Sequence, residues 1–187
     1  MLTATYSLVA IAAEQEKTRT MLNRLQQFLD AAWSGLQNVD FGFLESGYHR
    51  LLQFDQYLRE RKIERFLIPV LRGTGREAEL LIAEMESLRH KSIGYLREAG
   101  ALLASRTDFG RLQVSRVCES MSAYCSQAAS RLTLEEQSLL PLARRLLSVE
   151  DWFRLASDFL SRDSAPGRRS GRPNRGYAHP GARRDMH

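Results

Sequence analysis

Histidine and cysteine, the residues that most often hold metals or carry redox chemistry, are scarce in this chain: four and two among 187 residues. Two of the histidines, His179 and His187, fall in the last twenty-five residues, which leaves His49 and His90 for the rest. A centre built from several imidazoles therefore has too few to draw on. The two cysteines, Cys118 and Cys125, lie seven residues apart on a stretch with helical periodicity. That spacing sets them about 10 Å apart along one stripe, beyond disulfide reach. They read as core thiols of a reduced compartment. No apolar run approaches the ~20 residues a membrane-spanning helix needs. The first residues, MLTATYSLVAIAAEQEK, hold a short apolar run with no basic segment before it, so no cleaved signal peptide is expected. No alternating β pattern occurs, and no glycine-rich segment follows a strand, which excludes a phosphate loop.

Charge is unevenly placed. The net charge is +5, but Asp163–His187 holds six arginines against two aspartates, leaving Met1–Arg162 near +1. The same segment holds three of the five prolines, four of the twelve glycines and one aromatic residue. It cannot bury enough surface to offset the entropy of ordering, so residues 163–187 read as a disordered tail and residues 1–162 as one domain. The tail arginines, Arg168, Arg169, Arg172, Arg175, Arg183 and Arg184, are of a composition that can bind nucleic acid or another anionic surface by counterion release. An unconstrained extension has the same composition.

Helical periodicity fills the body. Leu22, Leu25, Leu29, Ala32 and Leu36 step along a first helix, about Ala4 to Gly35. After the loop NVDFG a second helix begins near Phe43, with Leu51, Phe54, Leu58, Phe66, Leu67 and Val70 inward, and GTG at 73–75 ends it. A third helix spans about Glu77 to Ser105, and TDFG turns the chain into a fourth, Arg111 to about Leu147. Ser148 is placed as an N-cap, with Asp151 three residues on, for a short fifth helix over Val149–Leu160. The expected fold is all-α: an up-down-up-down four-helix bundle with a short fifth C-terminal helix.

The fourth helix carries an unusual face. Tyr124, Ala128, Arg131, Glu135 and Leu139 share one stripe, so an arginine and a carboxylate lie mid-way along an apolar surface. Burying such charges costs several kcal/mol unless each is satisfied. Pro141 follows, where a missing backbone donor kinks or breaks a helix. The second helix repeats the form: Ile63–Leu71 (IERFLIPVL) aligns with Glu135–Ala143 (EEQSLLPLA), Pro69 matching Pro141.

These segments, LRERKIERFLIPVLR, ESLRHKSIGYLREAGALL and RLTLEEQSLLPLARRLLSVEDW, together resemble the hemerythrin-like (HHE cation-binding) family over about Ser7 to Phe159. The resemblance implies a four-helix bundle sending metal ligands inward from each helix, non-haem iron as cofactor, and a role in oxygen, nitric oxide or iron response or in signalling. It also shows where this chain departs. The family's histidine position on the first helix falls on Gln15. Those on the second fall on Arg59 and Glu60, and the glutamate position on Ile63, with Glu64 beside it. The third-helix position is His90; on the fourth, the histidine position falls on Arg131 and Glu135 matches. Arginine stays protonated and offers no lone pair to a metal.

The expectation is therefore a metal-free ionic layer of Arg59, Arg131, Glu135, Gln15 and His90, in which guanidinium groups supply the positive charge. Two other readings stay open: the arginines snorkel outward and the layer is wet, or an altered metal site is built on His90, Glu135 and Glu64. Glu135 and Glu136 have no nucleophile or positioned second group in the pattern, so no catalytic residue is expected. The functional expectation is a non-catalytic, cytoplasmic bundle that binds an unknown protein partner or a small signal, with no membrane association.

Overall fold

The computed structural model of the chain describes residues 2–34, 41–105 and 111–164, and every secondary-structure element among them is helical. The elements are α1 (Leu2–Ser34), α2 (Phe41–Glu60), a π turn π1 (Ile63–Leu67) running into α3 (Ile68–Leu71), α4 (Arg76–Ala104), α5 (Arg111–Leu134), a second π turn π2 (Glu135–Leu139) running into α6 (Leu140–Leu146), and α7 (Val149–Ser164). The expected helices all appear. The second starts at Phe41 rather than Phe43, and the last continues to Ser164 rather than stopping at Leu160. The tail arginines from Arg168 to Arg184 lie outside the described residues.

The two prolines act in the same way. In π1 the Ile68 N–H reaches back five residues to the Ile63 carbonyl, and in π2 the Leu140 N–H reaches the Glu135 carbonyl. Each widened turn comes directly before Pro69 or Pro141. A proline ring clashes with the carbonyl four residues earlier in a regular α-helix. One wide turn relieves that clash and lets the helix continue, so the chain bulges where a kink or break was expected.

The turn from α3 to α4 rests on Gly73, at φ 77°, where a side chain would be strained. Its N–H donates to Glu79 Oε1 at 2.6 Å, and the Thr74 hydroxyl donates to the Leu71 carbonyl at 2.7 Å. At the start of α7, Ser148 Oγ accepts from the Asp151 N–H at 3.2 Å while Asp151 accepts from the Ser148 N–H at 3.0 Å. Ser148 is the N-cap that the sequence predicts, and Asp151 makes the cap reciprocal.

α4 packs most extensively on α5, α1 touches α2, α5 and α7, and α2 touches α4 and α5. Among the described residues the apolar interior forms two clusters. One gathers Leu22, Leu29, Leu51, Phe54, Val117, Met121 and Tyr124 with their neighbours. The other gathers Ile11, Ile63, Leu67, Leu71, Met85, Leu139, Trp152 and Phe159 with theirs. α7 lies against the first half of α1, where the Ser7 hydroxyl donates to the Trp152 carbonyl at 3.4 Å. Trp152, Leu155 and Phe159 fill the inner stripe of α7. Cys118 and Cys125 are buried free thiols.

Candidate functional site

Between the two apolar clusters lies a polar layer. Along α1, Gln15 falls between Ile11 and Leu22. Along α5 and π2, Glu135 falls between Leu132 and Leu139. In the segment between α2 and π1, Arg61 falls between Phe54 and Ile63. Gln15, Arg61, Arg131 and Glu135 are all buried, with Glu135 at 0% and Arg61 at 1% exposure.

Glu135 is the hub. Arg61 grips it with both terminal nitrogens, Nη2 to Oε1 at 2.7 Å and Nη1 to Oε2 at 2.9 Å. Two parallel charge-assisted bonds of this kind are the strongest carboxylate contact a side chain makes. Gln15 Nε2 donates to Oε2 at 2.9 Å, and Arg131 Nε to Oε1 at 3.3 Å. Each oxygen therefore accepts twice. Gln15 closes a ring by accepting from Arg61 Nη1 at 2.7 Å, which fixes its amide orientation. Arg131 also pairs with Glu64, and Arg61 lies 3.9 Å from the same carboxylate. Two guanidinium groups thus face two carboxylates. Burial alone would lower the pKa of Arg61, but the charge and hydrogen bonds of Glu135, with the charges of Glu64 and Glu14, together more than offset it and hold the group above its ordinary value.

A break in the backbone serves this arrangement. α2 ends at Glu60, and the Arg61 N–H reaches only to the Leu58 carbonyl at 3.4 Å. The Lys62 N–H donates to Glu14 Oε2 on α1 at 2.6 Å, so that donor is satisfied from another helix. Arg65 N–H then restores the ladder on the Arg61 carbonyl at 3.0 Å.

Three expected members of the layer are there: Gln15, Arg131 and Glu135. Two are not. Arg59 is half exposed and lies back along α2 on Asp55, with Nη2 to Oδ2 at 2.6 Å. Its place is taken by Arg61, two residues on. His90 is exposed on α4, its Nδ1 2.8 Å from the Glu86 carbonyl, while Met85, Ser92 and Leu96 take the inward positions. Glu60 is exposed and ion-paired with Arg65 and Arg162, and Ile63 is ordinary core. The altered metal set is not assembled either. Glu64 and Glu135 meet on Arg131, but His90 does not join them, and no group of three or more His, Cys, Asp or Glu converges among the described residues.

A second polar cluster adjoins the layer. Tyr124, fully buried, donates to Asp55 Oδ1 at 3.5 Å, and burial, reinforced by the Asp55 charge, holds its hydroxyl well above the ordinary value. The cavity beside it measures about 20 Å³ and also meets Arg89, Ser92 and Arg131. That is room for one water molecule.

The donor set does not fit iron. The buried carboxylate has its four acceptor directions occupied, two of the layer's members are guanidinium groups, and the one candidate imidazole points to solvent. No family model matches the chain, and neither a curated protein nor a solved structure matches it.

Proposed function

We propose that the chain is a divergent hemerythrin-like bundle, up-down-up-down over its four long helical segments with α7 as the short fifth, in which a fixed ionic layer has replaced the metal centre. Its role is non-catalytic: a cytoplasmic binding or regulatory module whose interior is structural. The observation that carries this reading is the fourfold hydrogen bonding of Glu135 by Arg61, Gln15 and Arg131. A carboxylate in that state has no free lone pair to ligate a cation or to accept a substrate proton. The likeness of the two proline segments, each with its π turn, supports the bundle part of the reading. The charge layer supports the loss of iron, because two arginines repel a cation.

The test is metal analysis of untagged protein, purified and then incubated with and without ferrous iron under anaerobic conditions. Iron far below one ion per chain, with no oxo-bridge absorption band after exposure to air, is the expected result. Stoichiometric iron would overturn the reading in favour of an altered metal site that displaces Arg131 from Glu64 and Glu135.

A further inference from the structure

We infer that the groove between α1 and α2 is a binding site for an amphipathic anion, a carboxylate carried on a small apolar body. The groove measures about 220 Å³ and is lined by Met21, Arg24, Leu25, Arg50, Gln53 and Phe54. Its floor is apolar: Phe54 is buried, and Met21 and Leu25 are half-buried. Its rim is polar and exposed, made of Arg24, Arg50 and Gln53. No acidic side chain lines it.

The two arginines set the sign of the ligand. Some arginines elsewhere on this surface are paired, as in Arg19 with Glu136, Arg72 with Glu86 and Arg145 with Glu77. Neither Arg24 nor Arg50 has a carboxylate partner among the described residues. Arg50 is nonetheless held in place, its guanidinium 4.4 Å from the Phe28 ring centre, and Phe28 is itself stacked on Phe43 at 4.4 Å. Stacking on a ring face leaves the in-plane donors of a guanidinium free for a carboxylate. Further along the same pair of helices, Lys17 lies 5.3 Å over the Tyr57 ring and adds a third cation. An anionic head over these groups, with its apolar body on Met21, Leu25 and Phe54, satisfies both halves of the groove.

The volume sets the size. Sites for drug-sized ligands run from about 300 Å³ upward, so this groove suits a body of about ten carbons. A larger groove fits less well. The one between α1 and α5, about 380 Å³, is lined by amides and Asp30 and holds no cation. The site is separate from the interior layer, and its occupancy does not depend on whether iron binds there.

The experiment uses the full chain, isotopically labelled, titrated at low salt with decanoate, decanol or decyltrimethylammonium below their micelle concentrations and followed by amide NMR. Decanoate is expected to shift amides within residues 21–28 and 50–57 and to bind about ten-fold tighter than decanol, one charge-assisted contact being enough for that ratio. Its affinity should fall as salt rises. The double variant Arg24→Gln/Arg50→Gln changes two exposed side chains, and its thermal melt reports folding. It should lose about ten-fold in decanoate affinity and keep its decanol affinity. Equal binding of decanoate and decanol, shifts confined to other helices, no shift up to millimolar ligand, or unchanged decanoate affinity in the folded double variant would each overturn the assignment.

Discussion

Glu135 sits at 0% exposure with both oxygens doubly bonded, so each donor around it carries part of the cost of burying a charge. Arg61, which makes two of those bonds, is the partner the carboxylate can least do without. The sequence does place Arg61 correctly if the apolar stripe is followed without a template: Leu51, Phe54 and Leu58 step by three and four, and the next step of three is Arg61. The register of the resembling family points instead to Arg59, whose side chain turns back to Asp55. His90 illustrates the reverse case. A histidine at a ligand position carries no information about which way the helix faces, and the inward stripe of α4 runs through Met85, Ser92 and Leu96. The thiols are simpler. Burial, aided by the charge of Asp30, pushes Cys125 up to about 12 from an ordinary 9.0. At pH 8 a neutral thiol reagent should therefore label Cys125 at least ~100-fold more slowly in the folded chain than in urea, the thiolate being the reactive form. The folded state also keeps a proton that the unfolded state loses. Stability from this group is fully present below pH 9.0 and is lost as pH rises toward 12. Cys125→Ala should flatten that alkaline decline in urea-denaturation midpoints, and an unchanged slope would place its cause in other groups.

At the scale of elements, helix existence was readable from periodicity and the start of α7 from capping chemistry. Ser148 and Asp151 are the clearest instance, since both halves of the cap form as spaced. The Asp151 carboxyl is held below its ordinary 3.8, first by the Ser148 hydroxyl and then by the Ser148 N–H. A depressed carboxyl stabilises above its unfolded value and loses that contribution as pH falls through the folded value. Ser148→Ala should cost about 1 kcal/mol at pH 7. The cost should shrink as pH drops below 3.8, where wild type loses the Asp151 carboxylate half of the cap and keeps the Asp151 N–H bond to Ser148 Oγ. Comparing the two unfolding midpoints at pH 7 and pH 3 checks this. The π turns were not readable in the same way. Pro69 and Pro141 announce a disturbance, but whether a helix breaks, kinks or widens depends on what its far side must bury. Here Leu71 and Ala143, beyond the prolines, are both fully buried, so continuing inward is favoured over breaking. The break after Glu60 is likewise invisible in sequence, because the Glu14 carboxylate that accepts the Lys62 N–H comes from a helix 48 residues earlier.

Across the whole molecule, the ionic layer divides the interior into two apolar clusters and ties α1, the segment after α2, π1 and π2 to one another. Sliding any of these segments by one residue would strand a buried charge, so the layer fixes the axial register of the packing, as single polar positions do in coiled coils. The global unfolding free energy is therefore the most direct probe of the arrangement. Urea denaturation of Arg61→Leu, Arg131→Leu, Arg59→Leu and the double variant Arg61→Leu/Glu135→Leu should give a definite order. Arg61→Leu should lose about 3–5 kcal/mol, because Glu135 is left buried with its main partner gone. Arg131→Leu should lose less, about 1–3 kcal/mol, since Arg61 still holds Glu135. Arg59→Leu should lose only about 1 kcal/mol, because Arg59 itself is half exposed and the buried Asp55 keeps the Tyr124 hydroxyl. The double variant should recover most of the Arg61→Leu loss. An Arg61→Leu variant as stable as Arg59→Leu, or a double variant no better than Arg61→Leu alone, would contradict a closed layer built on Arg61 and Glu135.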